Sequence, residues 1–284
     1  MNLSTKVATL LIVIGGGVFS PFIVAQPSNL APDTFEFKVM LNNLLFTSDA
    51  RDAGIDGFIK IIKEQPGIVV DEDKKEKSRI VSYFDTKKCD LLKNNYILRK
   101  RFTLKNDVPD RLKITLKYRG AEPDEVGEKS FQAKPSSKLT KSKYEADIVR
   151  KSPFKTQKKF SYSGSIELGK MKKISDLLSL YPVLNELGID DNKKLKTVNN
   201  FAAFETVVEI GVIKMGSQEC EASFSFWYKN REKKHPIASE FSYVCNKLTD
   251  EGGELYQSIL RQQNWVNANS STKTAIAYGD YCNR

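Results

Sequence analysis

Histidine is nearly missing from this sequence: His235 is the only one, set in a Lys-rich turn before Pro236. A single imidazole removes Ser/His triads, Cys/His nucleophiles and His-based metal sites from consideration. Cysteine is scarce as well. Cys89, Cys220, Cys245 and Cys282 are the four present, and no pair has the close spacing of a metal knuckle. Beyond residue 25 no apolar run is long enough for a membrane-spanning helix. Nothing in the composition points to collagen, a coiled coil or wholesale disorder. Apolar residues at 40% and charged residues at 28% describe an ordinary globular chain, and 284 residues leave room for a real core in one large domain or two small ones.

The first 25 residues stand apart. Lys6 is their only charge, residues 7–18 are apolar or glycine apart from Thr9, and small Ala25 precedes polar Gln26-Pro27-Ser28. This is the make-up of a secretory signal peptide. The alternative is a membrane anchor, since residues 7–25 are nearly long enough to span. The glycines at 15, 16 and 17 and Pro21 argue against a stable spanning helix. A cleaved signal implies a secreted or periplasmic protein with no membrane attachment after cleavage. It also implies a linker over 26–33 and a compartment that permits disulfides. Losing Lys6 with the signal leaves +9 of the formal +10 charge. That excess attracts polyanions such as nucleic acid, anionic lipid or phosphate-rich small molecules. Export makes nucleic acid an unexpected partner.

From residue 34 onward most of the chain reads as strands. In TFEFKVML (34–41), Phe35, Phe37, Val39 and Leu41 share one face, with Glu36 and Lys38 on the other. Ser48-Asp49 reads as a helix cap, followed by the stripe Ile55, Phe58, Ile59 and Ile62. GIVV and SRIVSYFDT read as two strands around a solvated charged loop, DEDKKEK. In YILRKRFTLK (96–105), Leu98 and Phe102 oppose Arg99 and Arg101. In RLKITLKY (111–118), Leu112, Ile114 and Leu116 oppose Lys113, Thr115 and Lys117. NDVPD joins these two as a hairpin. In KYEADIV (143–149), Lys143, Glu145 and Asp147 oppose Tyr144, Ala146 and Ile148. Residues 150–164 read as basic and irregular, about 165–190 as a helical segment, and about 249–267 as a C-terminal helix with a polar tail. Between those helices, FETVVEIGVIK, CEASFSFWY and IASEFSYVC are strands. Glu209 is ambiguous: a two-residue turn at Gly216-Ser217 pairs it with Phe224, on the apolar side, unless a bulge intervenes.

The last hairpin fixes a register. Centring its turn on residues 231–234 sets Phe224 opposite Phe241, Ser225 opposite Glu240 and Cys220 opposite Cys245. Directly opposed residues lie within disulfide reach. This predicts a Cys220–Cys245 bond, and by elimination Cys89–Cys282, out of the three connectivities four cysteines allow.

Several strands thus carry one apolar face and one face of Glu, Lys, Arg, Ser or Thr. A half-exposed open sheet explains this. A barrel with helices outside and a charged interior explains it equally. The sorting of sign by strand, with Arg99, Arg101, Lys113 and Lys117 on one hairpin and Glu221 and Glu240 on another, speaks for the barrel.

YFDT (83–86), DLLKNNYILRKRF (90–102) and TLK (115–117) resemble the middle signature of the CYTH superfamily, the triphosphate tunnel metalloenzymes. That family opens on E-x-E-x-K, matched here by Thr34-Phe35-Glu36-Phe37-Lys38. Its closing E-x-E is matched by Glu240-Phe241-Ser242. The resemblance runs in matching order from Thr34 to Val244, loosely over 120–200. It implies an α+β fold: an antiparallel, eight-stranded closed barrel or tunnel with helices packed on the outside, as a single domain over 34–284. About eight strands is also the size whose interior holds a small ligand. It further implies that Lys38, Arg99, Arg101, Lys113 and Lys117 grip phosphate oxygens of a triphosphate or polyphosphate anion. Glu36, Glu221 and Glu240 would hold Mg²⁺ or Mn²⁺, with Glu145 and Asp147 as further acids. Thr34 and Ser242 stand where the family carries acids, which thins the metal-binding set.

The resemblance supports two functions. One is an exported phosphohydrolase acting on triphosphate compounds with a divalent metal. The alternative is a non-catalytic polyphosphate- or polyanion-binding module on the same scaffold. A barrel binding lipid or polyanion through an exterior basic run, KSPFKTQKK, is a third reading.

Overall fold

The computed structural model describes residues 31–129, 141–152, 155–168, 181, 183–188, 195–267 and 271–283. The signal segment, most of the linker 26–33 and most of the helical segment 165–190 lie outside the described residues. Nine strands succeed one another in chain order: β1 (Thr34–Met40), β2 (Ile68–Asp85), β3 (Tyr96–Lys105), β4 (Val108–Gly120), β5 (Lys141–Ser152), β6 (Lys155–Leu168), β7 (Lys196–Met215), β8 (Gln218–Tyr228) and β9 (Ala238–Cys245). The described helices are α1 (Arg51–Lys63), α2 (Asp90–Lys93), α3 (Pro123–Gly127), α4 (Val183–Glu186), α5 (Asp250–Leu260) and α6 (Lys273–Tyr278). Every strand pairs with two neighbours, in the order β1-β5-β6-β4-β3-β2-β7-β8-β9, and β9 returns to β1.

The ring departs from the sequence reading in ways that have physical reasons. It has nine strands rather than eight, because the basic stretch read as irregular forms β6. That strand is rich in Ser and Lys, yet β4 and β5 flank it and satisfy its backbone on both sides. It also extends to Leu168, into the segment read as helical. The ring is not wholly antiparallel: β1 runs parallel to β5, which sets Glu36 beside Asp147 and Thr34 beside Glu145. DEDKKEK is not a loop. It lies inside the single long strand β2, whose exposed acids and bases meet Lys63, Asp56 and Arg51 of α1 at 2.6–3.0 Å. Such exposed pairs contribute little each, and the ladder to β7 is what holds the segment extended. Neither Ser48 nor Asp49 caps α1. Ala50 occupies that position without a side-chain bond. The C-terminal helix ends at Leu260, and the polar tail contains α6.

Helices pack on the outer surface. Phe58, Ile59 and Ile62 of α1 and Tyr256 and Ile259 of α5 bury against Phe37, Phe224, Phe241 and Tyr243. On the opposite side Leu98, Ile114 and Leu116 meet Leu91, Val126 and Leu184 of α2, α3 and α4. One end of the interior is also apolar. Val81, Tyr83, Ile97, Trp227 and Ala238 cluster there with Ala277 and Tyr278 of α6, forming a buried floor. The Tyr278 hydroxyl donates to Asp85 (3.2 Å), whose carboxylate also accepts from the backbone N–H groups of Thr86, Leu91 and Leu92. Both disulfides form as the register and elimination imply: Cys220–Cys245 joins β8 to β9, and Cys89–Cys282 ties the tail beside this floor.

A bulge in β7 decides which way its acids point. From Met215 to Gly211 the strand pairs with β8 in the register of the Gly216-Ser217 turn. Beyond the bulge, Glu209 opposes Ser223 and Glu205 opposes Trp227. Because side chains alternate, this one-residue step turns Glu205 to the inner face. Gly211 has φ +108°, and a Cβ there would lie 2.0 Å from the Asp71 carbonyl oxygen. Gly211→Ala is therefore expected to destabilise the fold by about 3 kcal/mol. Gly253→Ala is the contrast: a Cβ in α5 meets nothing within 4 Å, and the change is expected to be neutral or stabilising by about 0.5–1 kcal/mol. Urea denaturation of the two variants checks both values.

Candidate functional site: a charged cavity inside the ring

The inner faces of the strands enclose a cavity of about 510 Å³, in the range that holds a small ligand. Small side chains make the space: Ser163 and Ser165 on β6, Ser223 and Ser225 on β8, and Thr115 on β4. Among the described residues twelve Lys and Arg line it against five carboxylates, so the interior is strongly cationic.

The ring order confines the acids to one arc. All five carboxylates lie on the arc from β7 through β9 and β1 to β5: Glu205, Glu240, Glu36, Glu145 and Asp147. The facing arc, β2 to β4, offers Arg79, Arg99, Arg101, Lys113 and Lys117.

Every carboxylate is already bonded to a cation. Lys38 Nζ stands 2.8 Å from both Glu36 Oε2 and Asp147 Oδ1. Glu145 pairs with Lys143 at 2.6 Å and with Lys117 at 3.2 Å. Glu240 pairs with Lys273 at 2.8 Å. Glu205 accepts from Trp227 Nε1 (2.9 Å) and Ser225 Oγ (3.0 Å), with Arg79 at 3.5 Å. Burial disfavours the charge on Glu145, Asp147 and Glu205. Surrounding cations outweigh it, and all three fall below the usual carboxylate range, Glu145 and Glu205 to about 2.

The cations divide into two classes. Burial works against the Lys38 charge, but Asp147, Glu36, Glu240 and Glu145 together raise its pKa above the ordinary lysine value. Lys117 faces the same Asp147 and Glu145, yet its pKa is lowered: burial dominates, and Lys38 and Arg119 add repulsion. Lys113 is lowered by burial and then by Arg101. Arg101 is lowered by burial and by Arg99. Among the described residues no carboxylate pairs with Arg99, and its Nε is buried without a hydrogen-bond partner. Arg99, Arg101, Lys113 and Lys117 are thus cations lacking full compensation, and they converge on a cavity. Fork-shaped guanidinium and compact ammonium groups have the donor geometry that oxyanions accept.

The structure brings most of the residues singled out by sequence together. Lys38, Arg99, Arg101, Lys113, Lys117, Glu36, Glu240, Glu145 and Asp147 line the cavity, as does Ser242. Glu221 does not. It lies on the inner face of β8 but two residues beyond Ser223 towards the strand end, where it is exposed. Sequence reading missed Glu205, hidden by the bulge, and Lys273, which comes from the tail. Arg119 lies one alternation step past TLK and Arg79 two steps before YFDT, both on the inward face of their strands.

A divalent ion needs carboxylate oxygens free to coordinate it. Here each carboxylate has at least one oxygen held by an ammonium, guanidinium or hydrogen-bond donor. Among the described residues no group of three or more His, Cys, Asp or Glu is placed to ligate a metal. Holding Mg²⁺ or Mn²⁺ would require these acids to exchange their present cations for the metal.

No protein-family model matches the chain, and no curated protein matches it. Solved structures that align with it include HpAC1 from Hippeastrum, described as revealing a dominant triphosphatase activity. It shows 14% identity and a TM-score of 0.45 over 86% of this chain and 95% of that one. The PH1819 protein of Pyrococcus horikoshii OT3 aligns at 13% identity and TM-score 0.36, over 83% and 92% of the two chains. The bh2851 protein of Bacillus halodurans aligns at 13% and 0.37, over 85% and 97%.

Proposed function

We propose that this chain is an exported, divergent CYTH-type barrel that binds a linear polyphosphate, triphosphate or longer, inside its charged cavity without hydrolysing it. The observation that carries this reading is the cluster of Arg99, Arg101, Lys113 and Lys117, under-compensated cations facing carboxylates that are already neutralised. A chain of phosphates supplies several negative oxygens in a row, which matches cations presented by adjacent strands. Phosphate positioning is retained while the metal-holding acids are engaged, so binding is favoured over metal-dependent hydrolysis. The two disulfides fit an oxidising compartment, and a secreted or periplasmic setting is part of the proposal.

Calorimetric titration with tripolyphosphate in EDTA tests it. The expected result is binding at least about 100-fold tighter than that of orthophosphate. Equal affinity for the two, or none for tripolyphosphate, would sink the proposal. Phosphate release with Mg²⁺ or Mn²⁺ is expected to stay at the protein-free rate, and turnover would favour the hydrolase.

Affinity should also depend on pH. Lys113 and Lys117 sit below the ordinary value of 10.5, so they lose protons earlier than exposed lysines as pH rises. Bound polyphosphate favours their charged forms, so binding takes up protons in the alkaline range. Affinity is expected to fall as pH rises towards the ordinary lysine value of 10.5, beginning below it. The unliganded fold responds with the opposite sign, because deprotonation relieves a charge that burial disfavours. Titrations across that range, paired with unfolding curves, check both directions.

A further inference from the structure

Lys273 enters the cavity from the tail. It opens α6 behind Thr272, whose side chain accepts from Ala275 N–H. Its ammonium reaches Glu240 Oε1 at 2.8 Å and Glu205 Oε1 at 3.8 Å. It donates to Ser225 Oγ at 2.9 Å and lies 5.7 Å from the Trp227 ring centroid. Nothing local to the short helix asks for a lysine here: its first turn holds no acid, and a cation at a helix N-terminus opposes the backbone dipole. The placement is instead held from outside the helix. Ala277 and Tyr278 are buried in the apolar floor, Tyr278 bonds Asp85, and Cys282 is joined to Cys89. A disulfide and a buried tyrosine thus keep one ammonium group between two inward carboxylates.

We propose that Lys273 is a resident cation of the cavity, holding the place a divalent ion would take between Glu240 and Glu205 and making polyphosphate binding independent of metal. This deepens the binding reading and rests on it. Without Lys273, Glu240 keeps Lys38 at longer range, and Glu205 keeps Arg79 at 3.5 Å and Arg101 at longer range. Two inward carboxylates that have lost their shared ammonium are open to a hard cation, whose remaining positions water or phosphate oxygens complete.

The test titrates Mn²⁺ alone into the full chain with its disulfides intact, following free Mn²⁺ by electron paramagnetic resonance. Wild type and Lys273→Arg are expected to take up no Mn²⁺ below about 1 mM, and Lys273→Met to bind it at least about tenfold more tightly. A parallel titration with tripolyphosphate in EDTA is expected to show unchanged binding for wild type and weaker binding for Lys273→Met. Uptake of Mn²⁺ by wild type, which needs no variant to be folded, overturns the proposal. So does a Lys273→Met protein that folds, by its unfolding curve, and gains no Mn²⁺ affinity. Failure of every protein to bind tripolyphosphate would instead overturn the binding reading, and the Mn²⁺ results would still decide the role of Lys273.

Discussion

Replacing Arg101 by Met is expected to weaken tripolyphosphate binding by about 100-fold, and replacing Arg99 by Met to do the same. Losing one partner of a desolvated charge pair costs about 2–5 kcal/mol, and about 100-fold corresponds to about 2.7 kcal/mol. Arg111→Met supplies the control, since Arg111 is exposed on the ladder beside Asp110 and outside the cavity. Its effect should stay within about twofold. The sharper part of the prediction concerns the unliganded protein. Burial and Arg99 both disfavour the Arg101 charge, so that charge opposes folding at neutral pH. Arg101→Met should therefore raise the melting temperature without ligand, by about 2–4 °C for about 1 kcal/mol relieved. With saturating tripolyphosphate the order should reverse, because wild type gains more from ligand. Calorimetric titration and thermal unfolding with and without ligand give both signs. A variant that is destabilised without ligand would place Arg101 in the structural framework, not in the site.

The parts of this arrangement legible in the sequence are those fixed by alternation alone. Arg99 and Arg101, Lys113 and Lys117, and Glu145 and Asp147 share inner faces because the members of each pair are an even number of residues apart on an uninterrupted strand. The Cys220–Cys245 bond is legible because a turn sets a register and a register sets opposites. Alternation is silent wherever a longer-range fact intervenes. It gives the face of Glu221 but not its height in the ring, so it groups an exposed mouth residue with cavity residues. It cannot see that β1 and β5 run parallel, which is what brings Glu36 and Asp147 to one lysine. It is inverted by the β7 bulge, where Gly211 is pressed against Asp71 of another strand. Lys273 is outside its reach altogether, since a disulfide and a buried tyrosine, not a strand, aim that side chain.

Glu205 is expected to be the most costly single position of the site for stability. Its carboxylate accepts from Trp227 and Ser225 and faces Arg79, Lys273 and Arg101 within the ring. Glu205→Ala strands two buried donors and removes a counter-charge from three cations, a change that typically costs about 3–5 kcal/mol. Glu205→Gln separates charge from hydrogen bonding, because the amide oxygen still accepts from Trp227 while the negative charge is gone. Burial alone would raise the Glu205 pKa, but Lys273, Arg79 and Arg101 pull it from 4.5 to about 2. A carboxylate depressed on folding contributes stability that is fully present above its ordinary pKa. That contribution is lost as pH falls through the folded value. Wild type should therefore lose about 3 kcal/mol from this group between about pH 5 and pH 2. Glu205→Gln should lie about 3 kcal/mol below wild type at about pH 7 and approach it at about pH 2. Urea denaturation at the two pH values measures the convergence. Parallel curves with a constant gap would mean that Glu205 acts through hydrogen bonds alone, and that the cations of the facing arc are restrained by something other than its charge.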